Sequence, residues 1–181
     1  MSDNTSIEII PVEFPRDHDT ITALFTSYAN SLGIDLSFQN FSYELSALPG
    51  KYSAEQGGAL FLARSSSSTN SSSIAPSSTK VIGCVALRSF TVHHSCEIKR
   101  LYIEPGSRGL GAGRKLLERV LERARELGYR EVLLDTLPSM VEAKKMYRRF
   151  RFKEVEAYYE SPIEGTCFMR LELGNEREVA V

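Results

Sequence analysis

The chain has 181 residues, of which 42% are hydrophobic and 25% charged, and a net charge of −1. That is enough apolar material for one well-buried domain and too little chain to favour two. A near-neutral balance with no basic stripe argues against a general nucleic-acid or membrane-surface binder, and three scattered cysteines without metal-ligand spacing fit a reduced, cytoplasmic setting.

No apolar run approaches the ~20 residues of a membrane span, and Met1 to Thr5 lacks the basic flank and apolar core of a signal peptide. Ile7 to Val12 reads as a first strand. Pro15-Arg16-Asp17 opens a helix through Leu24, Phe25 and Tyr28 that Gly33 ends. A second helix is expected from Phe41 to Leu48, stopped by Pro49-Gly50. Phe38, Phe41 and Tyr43 would line a pocket or pack in the core, and aromatics at this spacing more often pack.

Gly57 to Ala63 and Lys80 to Phe90 read as strands. The serine-rich tract 65–79 between them buries too little apolar surface to offset its ordering entropy, and is expected as a flexible insertion in a hairpin. His93 and His94 have no other ligand types beside them, so a solvated turn is expected rather than a metal site. Cys84 and Cys96 lie in strand-like runs and read as small buried hydrophobes.

The next stretch organises the rest. Cys96 to Ile103 reads as a strand, which Pro105-Gly106 stops because proline cannot donate to a ladder. From Gly111 onward Leu116, Leu117, Val120, Leu121, Ala124 and Leu127 recur at three- and four-residue steps, one face of an amphipathic helix closed by Gly128. The glycines therefore sit where a strand becomes a helix. Helix-initial N–H groups have no internal partner and carry partial positive charge, so an anion belongs there. Gly109, Gly111 and Gly113 would let it approach, and Arg108 and Arg114 add charge. The spacing fits neither a Rossmann fingerprint nor a P-loop, since Arg114 and Leu116 stand where a third glycine is needed and no hydroxyl follows Lys115.

What fits is Arg/Gln-x-x-Gly-x-Gly/Ala, met by Arg108, Gly111 and Gly113. Here the sequence resembles the GNAT superfamily of acetyl-CoA-dependent N-acetyltransferases. The resemblance implies that the loop amides of Arg108, Gly109, Leu110, Gly111, Ala112, Gly113 and Arg114 hold the pyrophosphate of coenzyme A. It further implies that the main chain of Leu101, Tyr102 and Ile103 forms the cofactor edge, where the fourth and fifth strands splay apart.

Glu131 to Thr136 is then an apolar fifth strand, Pro138-Ser139 introduces a helix from Met140 to Phe150, and Lys153 to Tyr159 with Thr166 to Leu173 forms a final antiparallel pair. Strand, two helices, three strands, helix, strand, helix, two strands is the GNAT order. The expected fold is a three-layer α+β domain over 1–181. Its mixed, mostly antiparallel sheet has about seven strands with about four flanking helices, and residues 174–181 form a frayed tail.

Two side chains carry the implied chemistry. Ala143-Lys-Lys-Met-Tyr147 matches the family's Ala-x-x-x-Tyr helix, whose tyrosine protonates the coenzyme A thiolate. A phenol of pKa about 10 suits that task, and the competing account is ring packing on Phe150 and Phe152. Glu97 stands eleven residues before Arg108, where some members carry the glutamate that deprotonates the amine. On an alternating strand it shares a face with Lys99, so an ordinary ion pair competes. Two departures stand out. Met140 replaces an asparagine common in relatives, and Arg151-Phe152 replaces Gly-Phe, so the turn after that helix should differ from one built on left-handed glycine.

The expected activity is acetyl transfer from acetyl-CoA to a primary amine of a small molecule or a protein, by direct attack in a ternary complex and without a metal. A non-catalytic acetyl-CoA sensor is the first rival. An acyl-enzyme on Cys96 or Cys84 is the second, and no base flanks either thiol. Strand edges leave homodimer formation open.

Overall fold

The computed structural model describes residues 4–68, 79–92 and 94–174. The chain runs β1 (Asn4–Pro11), α1 (His18–Leu32), α2 (Phe41–Ser46), β2 (Ala59–Ser68), β3 (Thr79–Ser89), β4 (Ser95–Ile103), α3 (Ala112–Glu126), β5 (Glu131–Thr136), α4 (Val141–Arg149), β6 (Lys153–Val155) and β7 (Cys167–Glu172). The seven strands form one sheet in the order β1-β2-β3-β4-β5-β7-β6. Every pairing is antiparallel except β4 with β5. The expected element order and the mixed sheet are what the chain adopts.

The strands read as near-continuous apolar runs because both faces are covered. On one face Phe61, Ile82, Leu87, Ile98 and Leu134 pack against Leu116, Leu117, Val120 and Ala124 of α3. On the other, Leu60, Leu62, Cys84 and Tyr102 pack against Ile21, Leu24 and Phe25 of α1. Gly33 caps α1 with φ 64°.

Three expectations change. Residues 65–68 are strand rather than insertion: Ile7 pairs with Ser65 and Ser6 with Ser66, whose hydroxyls lie 2.6 Å apart. Ladder hydrogen bonds to β1 supply the order that serine side chains cannot. Thr79 likewise begins β3, opposite Ser66. The remaining part of the expected insertion, 69–78, lies outside the described residues, as do His93 and 175–181. The sixth strand is three residues long rather than seven, because Tyr158 and Tyr159 leave the sheet plane to stack edge-on against Phe168. Arg151 does adopt the left-handed conformation, φ 68°, with Phe152 N–H donating to the Tyr147 carbonyl at 3.1 Å, a Schellman-type closure made without glycine.

Candidate functional site

Two local events open the sheet at its centre. Parallel pairing of β4 with β5 covers only Ser95–Glu131, Cys96–Val132 and Glu97–Leu133, after which the strands diverge. Just beyond that point β4 bulges. Cys84 faces Tyr102 and Ala86 faces Lys99, so Arg100 and Leu101 stand against Val85 alone, and Arg100 takes φ 57°. An extra residue twists a strand and redirects its side chains.

The redirected Arg100 is buried beneath α2. Its guanidinium donates to Glu44 at 2.9 and 3.0 Å, and lies 5.5 Å from the Tyr28 ring centroid and 5.2 Å from that of Phe41. Glu44 also accepts from the Tyr52 hydroxyl and Lys51 Nζ, each at 2.9 Å. Burial raises the Glu44 pKa, but the hydrogen bonds and charge of Arg100 and then Lys51 outweigh it and hold the carboxyl at about 2. Phe41 therefore belongs to the packing around this ion pair, while Tyr43 is exposed. Sequence reading missed this cluster. Its one signal was Lys99-Arg100, two adjacent charges inside an apolar strand.

Beyond the bulge lies a groove of about 1190 Å³. It is lined by Leu101, Tyr102 and Ile103 of β4, by the loop residues Arg108, Gly109 and Gly111, and by Ala112, Gly113 and Arg114 at the start of α3. The far wall is α4, with Met146 and Tyr147. Gly109 and Gly111 take φ 83° and 81°, and a Cβ on either would meet nothing within 4 Å. The first bond of α3 runs from Lys115 N–H to the Gly111 carbonyl. The N–H groups of 109–114 have no hydrogen-bond acceptor among the described residues. Arg108 folds back onto the Ile103 carbonyl at 3.2 Å, and Arg114 pairs with Glu118 at 2.8 Å. Leu110 is exposed and does not line the groove.

Between the diverging strands is a narrow crevice of about 30 Å³, walled by Lys99, Arg100, Asp135, Thr136 and Gln39. Groove and crevice share Tyr28, Leu101, Met140 and Tyr147. Tyr147 is 6% exposed and its ring centroid lies 5.7 Å from that of Phe152. Among the described residues its hydroxyl has no hydrogen-bond partner, and burial pushes its pKa up, so the phenol stays protonated at neutral pH. Burial likewise pushes Tyr28 up to about 12.

Glu97 is fully buried and lines neither cavity. Its carboxylate accepts from Arg88 Nε at 2.7 Å and the Tyr158 hydroxyl at 2.9 Å, with Lys99 Nζ at 3.6 Å. The competing ion-pair account describes that environment. Cys84 and Cys96 are fully buried, and burial pushes both thiols up. No group of three metal-ligand side chains occurs among the described residues, and none of their helices is long and apolar enough to cross a membrane.

A mixed sheet splayed at its centre above an amide-lined helix start is the architecture of acetyltransferases of the GNAT type. The overall fold recurs in a GNAT-family acetyltransferase from Staphylococcus aureus (TM-score 0.70, 20% identity, 93% of this chain and all of that one). It recurs also in a Salmonella typhimurium acetyltransferase solved with its cofactor acetyl-CoA (TM-score 0.63, 16% identity, 94% and 96%). An uncharacterized N-acetyltransferase of Schizosaccharomyces pombe is 36% identical over 169 residues, 93% of this chain and 96% of its own. One from Dictyostelium discoideum is 29% identical, over 90% and 97%. Residues 39–152 match the acetyltransferase (GNAT) family. The chain belongs to that family.

Proposed function

We propose that this protein moves an acetyl group from acetyl-CoA to a primary amine by direct attack in a ternary complex, working as one domain. The observation that carries the reading is the Tyr147 side chain, which lines the junction of the long groove and the crevice. The groove fits the co-substrate on its own features, namely its volume, six unsatisfied amides at a helix start and two open glycines. In this reading Gly109 to Arg114 hold the pyrophosphate, with Arg108 and Arg114 supplying charge, and the main chain of Leu101 to Ile103 receives the extended arm. Leu110 contributes only its amide. Acetyl-CoA, when bound, supplies the acyl carbon and the leaving sulfur. The amine nitrogen forms the C–N bond as the C–S bond breaks, and the sulfur takes the proton of Tyr147 Oη. The nitrogen releases its surplus proton to water and Tyr147 Oη regains one from solvent, so amine and thioester become amide and thiol.

We infer that Glu97 anchors the ionic cluster beside the crevice instead of serving as base, because two donors and a neighbouring ammonium already surround its carboxylate. The test is thiol release across a panel of amines. Tyr147→Phe is expected to lower kcat by about 100-fold, the lower end of the range for general acids, and to leave acetyl-CoA affinity within twofold. Because burial keeps the phenol protonated, that loss should be uniform from pH 6 to 9. Coenzyme-dependent thermal stabilisation without thiol release from any amine would instead support a non-catalytic binder.

A further inference from the structure

The crevice beside Tyr147 contains one carboxylate, and that carboxylate is already engaged. Asp135 Oδ1 receives Lys99 Nζ at 2.6 Å, with the two side chains 14% and 10% exposed. Lys99 in turn lies near Glu97, which is closed by Arg88 from β3 and by Tyr158 from the segment before β7. Charges in this cluster balance, two cations against two anions. On the neighbouring wall Arg100 is matched by Glu44 of α2, and the other titratable groups facing the crevice, Tyr28 of α1 and Tyr147 of α4, carry no charge at neutral pH, nor does Tyr159 on the far side of Asp135. An alkylammonium entering here would be a third cation with no unpaired anion to meet it, and like charge disfavours the protonated form.

The crevice does offer unmet hydrogen-bond acceptors. Thr136 is 3% exposed, and its Oγ1 has no partner among the described residues; the same holds for Oε1 of Gln39. Both residues line the crevice. A neutral primary amine carries two N–H donors and one lone pair. Two waiting oxygens would take the donors and leave the lone pair for attack. The crevice volume is on the scale of one amino group.

We propose, resting on the transferase reading above, that the acceptor is a weakly basic primary amine bound in its neutral form. Such an amine is an α-amino group next to an amide carbonyl, carried either by a small amino amide or by a peptide N-terminus. Thr136 and Gln39 receive its N–H groups, and Lys99 excludes ammonium. At pH 7.4 an α-amino group of pKa about 7.9 is neutral roughly 200 times more often than an alkylamine of pKa about 10.4.

The experiment measures kcat/KM by thiol release at saturating acetyl-CoA for glycinamide, triglycine amide, n-propylamine and 1,3-diaminopropane, at pH 7.4 and 9.5. Glycinamide or the peptide should exceed propylamine at least tenfold at pH 7.4, with the gap shrinking severalfold at pH 9.5. The faster of the first two identifies the source. Lys99→Met should raise propylamine turnover at pH 7.4 at least fivefold by releasing Asp135, and adding Asp135→Asn should abolish that gain. Thr136→Val should raise the amine KM about fivefold with the acetyl-CoA KM unchanged. Propylamine or the diamine matching glycinamide at pH 7.4 overturns the inference and leaves the transferase reading standing. Retained acetyl-CoA binding with no thiol release from any amine overturns both.

Discussion

Glu44→Leu removes the anion that holds Arg100 under α2. Both side chains are 2% exposed, so the guanidinium would be left uncompensated in the interior. Breaking a buried pair by removing one partner costs about 3–5 kcal/mol. Linkage reaches a similar figure independently. The Glu44 carboxyl is held at about 2 against an ordinary 4.5, and ~1.4 kcal/mol per pKa unit makes that about 3 kcal/mol. For a chain of this size, ~2–4 °C per kcal/mol puts the fall in Tm near 10 °C.

Calorimetric unfolding of wild type, Glu44→Leu, Arg100→Met and the double variant measures the effect. Each single variant should lose about 10 °C, and the double should lose clearly less than the sum, because no buried charge is stranded in it. A depressed carboxyl pKa stabilises the fold fully above the unfolded value near 4.5, and that contribution is lost as pH falls toward about 2. The Tm difference between wild type and the double variant should therefore shift against wild type between pH 4.5 and 2. A Glu44→Leu protein within 2 °C of wild type, or additive single losses, would refute the buried-pair reasoning.

Arg151→Gly should stabilise by about 0.5–1 kcal/mol, since a non-glycine residue at φ 68° pays a left-handed penalty that exceeds the entropy of glycine; a lower denaturation midpoint would contradict this. Glu97→Gln should cost about 1–3 kcal/mol by weakening the acceptor for Arg88 and Tyr158, yet leave the shape of the pH–rate profile unchanged. A lost acidic limb in that variant would restore Glu97 as the base. Gly111→Val should weaken acetyl-CoA binding tenfold or more by calorimetry, because φ 81° excludes a β-branched residue and the loop must refold; unchanged affinity would detach that loop from the co-substrate.

Much of the fold was legible because its signals are local. The 3.6-residue apolar repeat of α3, the Gly33 and Gly128 stops and the β-rich runs each speak for their own neighbourhood. The groove was legible for the same reason, since Arg108 to Arg114 form one continuous turn. What stayed hidden depends on pairing across the chain. Ser65 and Ser66 look like linker until β1 is laid beside them. Glu44 and Arg100 are 56 residues apart, and Lys99 and Asp135 are 36 apart. Neither pair has a periodicity that names its partner. Glu97 is the instructive case, because its position along the chain matched the base seen in some relatives while the three residues that occupy its carboxylate come from β3, β4 and the β6–β7 segment.

The β4 bulge connects these features into one device. Had β4 continued without the extra residue, Arg100 would point to the opposite face and the edge of Leu101 to Ile103 would stay in register to pair with β5. Instead Gly83 accepts the crowded backbone of Tyr102 and Ile103 where no Cβ would fit, Arg100 turns under α2, and β5 departs after Leu133. The same displacement that buries a charge thus opens the sheet. It follows that Gly83→Ala, whose Cβ would press on the Tyr102 carbonyl and Ile103 Cδ1 at the groove edge, should cost stability and acetyl-CoA affinity together, whereas a purely structural glycine would cost stability alone. Thermal unfolding and calorimetric titration of that one variant separate the two, and intact affinity in a destabilised protein would break the link between the bulge and the groove.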